Sequence, residues 1–216
     1  MFLSNRDIRQ AIADRSLIVA PPPEHFGAGY DPISIDLHLG SIDHAKVWDA
    51  ETLAKTQRMH GNHEGACLGI GSFGYQDFAE DYLVRVPDEP IEANERVKVY
   101  RCGNTVHVKT GGFLLWTTEE TVGTPKENAQ FVAFVNAKST KARMGLLVHF
   151  SAPTIESAWS GKITLEIANF GPFVLVLRPG DAIAALTVAR ISSAPDPALR
   201  AKKSVTDNQN DPSGKS

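Results

Sequence analysis

Two cysteines, Cys67 and Cys102, are all that 216 residues contain. They can form one disulfide at most, so nothing in their number points to a secreted scaffold, and a cytoplasmic setting is the expectation. No apolar run approaches the ~20 residues that cross a bilayer, so no transmembrane helix and no membrane partner are expected. The opening MFLSNRDIRQ has no basic region followed by an apolar block, and no signal peptide is read there. A formal net charge of -3 supplies no basic footprint for a nucleic acid polymer; an anionic ligand would need local cations. The chain also has no G-x-x-x-x-G-K-[ST] phosphate loop and no G-x-S-x-G nucleophile elbow. Zinc deaminases of nucleobases pair H-x-E with P-C-x-x-C, and the absence of any C-x-x-C closes that route. HGNHEGAC does offer His60, His63, Glu64 and Cys67, but at a spacing that matches no zinc pattern. No zinc is expected.

What is present reads as a soluble globular protein: 42% hydrophobic and 22% charged residues, in a length that suits one substantial domain. Ser4 ahead of NRDIRQAIADRSLIV, with Asp7 three residues on and Ile8 and Ile12 at helical spacing, predicts a short capped helix. APPPEHFGAGYDP is too rich in turn residues for regular structure. The period then becomes two. ISIDLHLG, YLVRVP, ERVKVY and NTVHVKT alternate, and GGFLLWTT, AQFVAFVNA, MGLLVHFSA, KITLEIANF, PFVLVLRPG and AIAALTVARI are further short apolar runs. Many short strands punctuated by Gly, Pro and Asp predict a mainly β sandwich or barrel. Residues 49–81 break the rhythm and read as an insertion, with a short helix at its start and a Gly-rich loop after it. Residues 1–193 make the domain, and 194–216 read as a polar, flexible C-terminal tail.

Glu166 stands in the middle of KITLEIANF. On an alternating strand Ile163, Leu165 and Ile167 share one face and Thr164, Glu166 and Ala168 the other. One reading is a solvated sheet face. The other is a partly buried face, where desolvation keeps carboxyl groups protonated to higher pH and suits them to take a proton from water and return it. A second cluster is AKSTKAR, where Lys138, Ser139, Thr140, Lys141 and Arg143 gather three cations and two hydroxyls within seven residues. That composition fits an exposed polar loop or a polyphosphate cradle. Asp36, inside ISIDLHLG, reads as structural.

AKSTKARMGLLVHFSAPTIESAWSGKITLEIANFG resembles the core of the dCTP deaminases, members of the trimeric dUTPase-like superfamily. That pattern runs basic residue, Ser-Ser, Ala/Gly-Arg, apolar run, Ile-Asp, Trp/Phe-x-Gly turn and Leu-Glu. Here Glu166 follows Arg143 by 23 residues, as the pattern requires. LSNRDIRQAI, ISIDLHLG, GGFLLWTTEETVGTPKE and LRPGDAIAALTV resemble flanking family segments, so the likeness covers most of residues 1–188 apart from 49–81.

The resemblance implies a distorted β-barrel or jelly roll of the dUTPase-like type with a short N-terminal helix, assembled as a homotrimer with sites between subunits. It implies hydrolytic deamination of dCTP to dUTP and ammonia. Glu166 would be the general base that activates water for attack on C4 of cytosine, with Arg143 and Ser139 positioning the water and the carboxylate. The Ala152 carbonyl would hold that water, Thr164 would meet the pyrimidine through its backbone, and Glu156 would contact the sugar. Lys138, Ser139, Thr140 and Lys141 would surround the triphosphate, with Mg2+ bridging its phosphates; Ala142 and Leu165 complete the implied substrate-binding set. The chain departs from the pattern at Lys138 (Arg is usual), Glu156 (Asp) and Pro153 (His), and Lys203 and Gln209 stand in for the family's C-terminal lid. The rival readings are a dUTPase, a bifunctional deaminase and dUTPase, a deaminase of dCMP, and a non-catalytic nucleotide-binding trimer.

Overall fold

The computed structural model describes residues 1–27, 29–58, 66–69, 71, 74–90, 95–149, 151–196 and 208–214. Helix α1 (Asn5–Ala13) precedes β1 (Ile18–Ala20), β2 (Tyr30–Asp31), β3 (Ser34–His38) and β4 (Lys46–Trp48). Helices α2 (Ala50–Arg58) and α3 (Tyr75–Tyr82) lie between β4 and β5 (Leu83–Arg85). Strands β6 (Val99–Cys102), β7 (Thr105–Val108), β8 (Phe113–Gly123) and β9 (Phe131–Ala137) lead to the one-turn helix α4 (Ser139–Ala142). The chain continues through β10 (Leu146–Val148), β11 (Thr154–Ile155), β12 (Ser160–Asn169), β13 (Leu175–Leu177) and β14 (Ala182–Arg190).

Each alternating run named above forms a strand, and the protein is mainly β with a short N-terminal helix. One sheet has the order β10-β12-β8-β4-β5, with β1 also on β8; the second runs β11-β9-β14-β3-β2; a small third is β13-β7-β6. Among the described residues these sheets are open rather than closed into a barrel. One core unites them: Ile35, Leu37 and Leu186 from the second sheet meet Trp116, Leu165 and Ile167 from the first, all fully buried. Burying side chains of this size contributes roughly 1.5–3 kcal/mol each. The Trp116 indole N–H donates to the Gly40 and Ser41 carbonyls at 3.2 and 2.9 Å, so its polar edge is satisfied.

The predicted N-terminal cap is present. Ser4 accepts from the Asp7 N–H, and the Asp7 carboxylate accepts from the Ser4 N–H. The helix is shorter than its sequence window, because Arg15 takes a positive φ of 61° and the β-branched pair Ile18–Val19 enters a strand instead. APPPEHFGAGYDP also holds one turn of 3-10 helix, Pro23–Phe26, whose first residue is a proline already fixed at a helical φ. In the 49–81 segment the early helix is α2. A second helix, α3, was not read from the sequence; it packs Phe78 near Trp48 with ring centroids 5.3 Å apart. Within the tail expected to be flexible, residues 208–214 pack on β12: the Asn208 N–H donates to the Ser160 carbonyl and the Lys162 N–H to the Gln209 carbonyl.

Candidate active site

β12 holds the site because its two faces differ. Ile163, Leu165 and Ile167 are at most 2% exposed and sit in the core. Glu166 points the other way, paired across β8 with Leu115, and its side chain is 28% exposed. That settles the choice between the two sequence readings: the face is partly buried, not solvated. A cavity of about 610 Å³ opens over it, lined by Glu166, Thr164, His149, Ala152, Glu156 and Gln209. Trp48, Tyr75, Phe113 and Trp159 supply aromatic walls. Volume and lining, apolar with a few convergent polar groups, suit a small organic ligand of nucleoside size.

His149 follows β10 directly, with a φ of 51°, and its N–H donates to the Glu166 carbonyl at 2.8 Å. This main-chain bond ties the two residues side by side. Its ring Nδ1 lies 3.0 Å from Glu166 Oε2, but without the alignment of a hydrogen bond. Both ring nitrogens, Thr164 Oγ1 and Glu166 Oε2 are buried with no hydrogen-bond partner among the described residues. Buried polar atoms are normally satisfied; Nδ1 and Oε2 face each other, and His149 Nε2 and Thr164 Oγ1 have no such neighbour, which suits a cavity that takes a polar ligand.

The second sequence cluster lies apart. None of residues 138–143 lines the cavity. Lys138 donates to the Asp36 carboxylate, which gives Asp36 a structural partner, and Lys141 donates to the Ala182 carbonyl. Burial, aided by Lys138, lowers the Lys141 pKa against the opposing pull of Asp181 and Asp36. Ser139, Thr140 and Arg143 are exposed, and Ala142 is half-buried on α4. Arg143 precedes β10, whose first pair is Leu146 with Asn169, and Glu166 lies three residues back along β12, about 10 Å of strand rise. The predicted set therefore divides within one chain: Ala152, Glu156, Thr164 and Glu166 converge, while Lys138, Ser139, Thr140, Lys141, Ala142 and Arg143 do not join them.

Leu165 needs correcting as a ligand contact, because its side chain is wholly in the core on the opposite face. His149 was missed; it hides in the apolar run GLLVHF, where only its polarity at a strand end could have flagged it. Gln209, one of the two lid stand-ins, does line the cavity, while Lys203 lies outside the described residues. So do His60, His63 and Glu64, and Cys67 is exposed.

The family model for dCTP deaminase-like proteins matches residues 2–191. A dCTP deaminase of Shewanella amazonensis is 29% identical over 192 residues, which is 89% of this chain and 84% of that protein. A Dictyoglomus thermophilum protein named dCTP deaminase, dUMP-forming, is 29% identical over 197 residues, covering 89% and 82%. Among solved structures, the 2'-deoxycytidine 5'-triphosphate deaminase from Agrobacterium tumefaciens matches with a TM-score of 0.55 at 18% identity, over 92% of this chain. This chain spans about half the length of that one, 51%. With the family model matching residues 2–191 of 216, the chain belongs to the dCTP deaminase-like family of enzymes.

Proposed function

We propose that the chain deaminates dCTP to dUTP and ammonia, with Glu166 as the proton carrier. The observation that carries this reading is the unpartnered, buried Oε2 of Glu166 inside a nucleoside-sized cavity. A water held by the Ala152 carbonyl gives a proton to the carboxylate while its oxygen bonds to C4 of cytosine. Glu166 returns that first proton to N3. It then takes the proton of the new C4 hydroxyl as C4=O forms and passes it to the amino nitrogen, and the C4–N bond breaks with release of ammonia. One group that accepts and then donates serves both halves of the reaction. His149, whose Nδ1 lies 3.0 Å from Oε2, packs beside the carboxylate, and Glu156, which lines the same cavity, would contact the sugar.

Arg143 and Ser139 come from a second copy in this reading, within a homotrimer whose sites lie between subunits. What supports this is their exposure away from their own cavity, together with exposed Phe2 and Ile33 beside Phe134 in an apolar groove of about 350 Å³. The α4 cluster offers ammonium, guanidinium and hydroxyl donors, which fit phosphate oxygens rather than a metal; Mg2+ would ride on the phosphates. A second product, dUMP, is the alternative, since one relative is named dUMP-forming. Incubation with dCTP and, separately, with dUTP distinguishes the two. Ammonia and dUTP from dCTP, with dUTP left intact, is the expected result; dUMP and pyrophosphate from dUTP would make the enzyme bifunctional.

A further inference from the structure

The segment 208–214 touches two parts of the protein, β12 and the β4–β5 connection. On one side it lies along β12, where Asn208 N–H donates to the Ser160 carbonyl at 2.8 Å and Gln209 Nε2 to the Lys162 carbonyl at 2.7 Å. The Lys162 N–H returns a bond to the Gln209 carbonyl at 3.0 Å. On the other side it meets the β4–α2–α3–β5 connection. The Tyr75 hydroxyl donates to the Pro212 carbonyl at 2.6 Å, and Lys46 Nζ lies 3.3 Å from Asp211 Oδ2. Gln76 Nε2 reaches the Gly214 carbonyl at 3.4 Å. Gln209, Pro212 and Tyr75 all line the Glu166 cavity, so these contacts close one of its walls.

We propose that Tyr75 and Lys46 are positioning residues that pin the C-terminal segment 208–214 across the cavity, so that the β4–β5 connection sets how tightly the nucleotide is enclosed. The inference rests on the deaminase reading only for what is enclosed; the pinning itself stands on contacts.

The anchors are chemically suited to hold a segment with almost nothing apolar to bury. Burial, then the Glu166 and Asp211 carboxylates, push the Tyr75 phenol up to about 12, so it keeps the proton it donates to Pro212. Trp48 packs edge-on against its ring, with centroids 6.3 Å apart, and fixes its direction. Burial works against ionising Asp211, but hydrogen bonds from Ser213 and the charge of Lys46 outweigh it and hold the carboxyl below its usual range. The ion pair is therefore formed at neutral pH. Both side chains are well covered, with 17% of Lys46 and 28% of Asp211 exposed, which sets the pair apart from a solvated surface contact.

The test is hydrogen exchange on the full chain carrying Tyr75→Phe and Lys46→Met together. The Lys162 and Asn208 amides should lose protection by roughly tenfold or more, while amides of β14 and the thermal midpoint stay as in the wild type. Kinetics are read on Lys46→Met alone, because Lys46 lies outside the cavity that Tyr75 lines. With dCTP its KM should rise several-fold while kcat stays within about twofold, the pattern of lost enclosure rather than lost chemistry. Unchanged protection at Lys162 and Asn208 in the double variant would overturn the pinning. Lost protection in a protein that releases no ammonia from any deoxycytidine nucleotide would uphold the pinning and sink the deaminase reading.

Discussion

Glu166→Gln should lower kcat for ammonia release from dCTP by roughly a thousandfold or more, with dCTP affinity within about tenfold of wild type. The amide keeps the size and both contact atoms of the carboxylate, so the cavity and the main-chain bond between His149 and Glu166 survive. What it loses is the ability to hold a proton between water and the leaving amine. The side chain of Glu166 is not needed for packing: the same strand places Ile163, Leu165 and Ile167 in the core, and the acid faces the cavity. Binding can be followed separately through Trp159, which lines the same cavity. Turnover retained at a tenth of wild type would place the base elsewhere.

The second large effect concerns stability. Glu120→Ala should destabilise the fold by roughly 2–5 kcal/mol, because it leaves two buried polar groups of His38 without their hydrogen-bond partner. Glu120 is 1% exposed near the end of β8; both its oxygens accept from the His38 N–H, at 3.2 and 3.0 Å, and His38 Nδ1 lies 2.6 Å from Oε1. Phe26 stacks on the other face of that imidazole, with centroids 3.8 Å apart. Burial raises the Glu120 pKa and the His38 bonds oppose the rise. Truncation would strand a buried main-chain donor and a ring nitrogen at the place where β3 of one sheet meets β8 of the other. For a chain of this size the thermal midpoint should fall by about 10 °C. Glu120→Gln retains an acceptor and should cost markedly less. A drop of only a degree or two in the alanine variant would show that water or rearrangement satisfies His38.

How much could be read in advance depended on whether a feature was local. Glu166 was readable because period two decides which face a strand residue takes, and β12 obeys it from Ser160 to Ile167. Ser4 and Asp7 were readable because a cap is made within four residues. Ile18–Ala20 misled, since a helical run of apolar residues continues across the point where Arg15 turns the chain. Tyr75, Phe78 and Tyr82 do sit at helical spacing in α3, but the Gly-rich stretch before them masked it. Gln209 and its neighbours dock through main-chain and side-chain hydrogen bonds and an ion pair, which composition does not register. His149 needed the pairing of β10 with β12, a contact between distant positions. As for Arg143, spacing along the chain is silent on which copy's cavity a residue enters.

That last point is the centre of the account: in the proposed reading, the carboxylate and the guanidinium that share one reaction come from different copies. It is tested by mixing two inactive proteins, Glu166→Gln and Arg143→Ala, under conditions where subunits exchange, and measuring ammonia release from dCTP. In a symmetric ring with one interface per site, random mixing restores intact sites to about a quarter of wild-type number. Recovery approaching that level is the predicted result. A mixture as inactive as its components, with exchange verified, would contradict it.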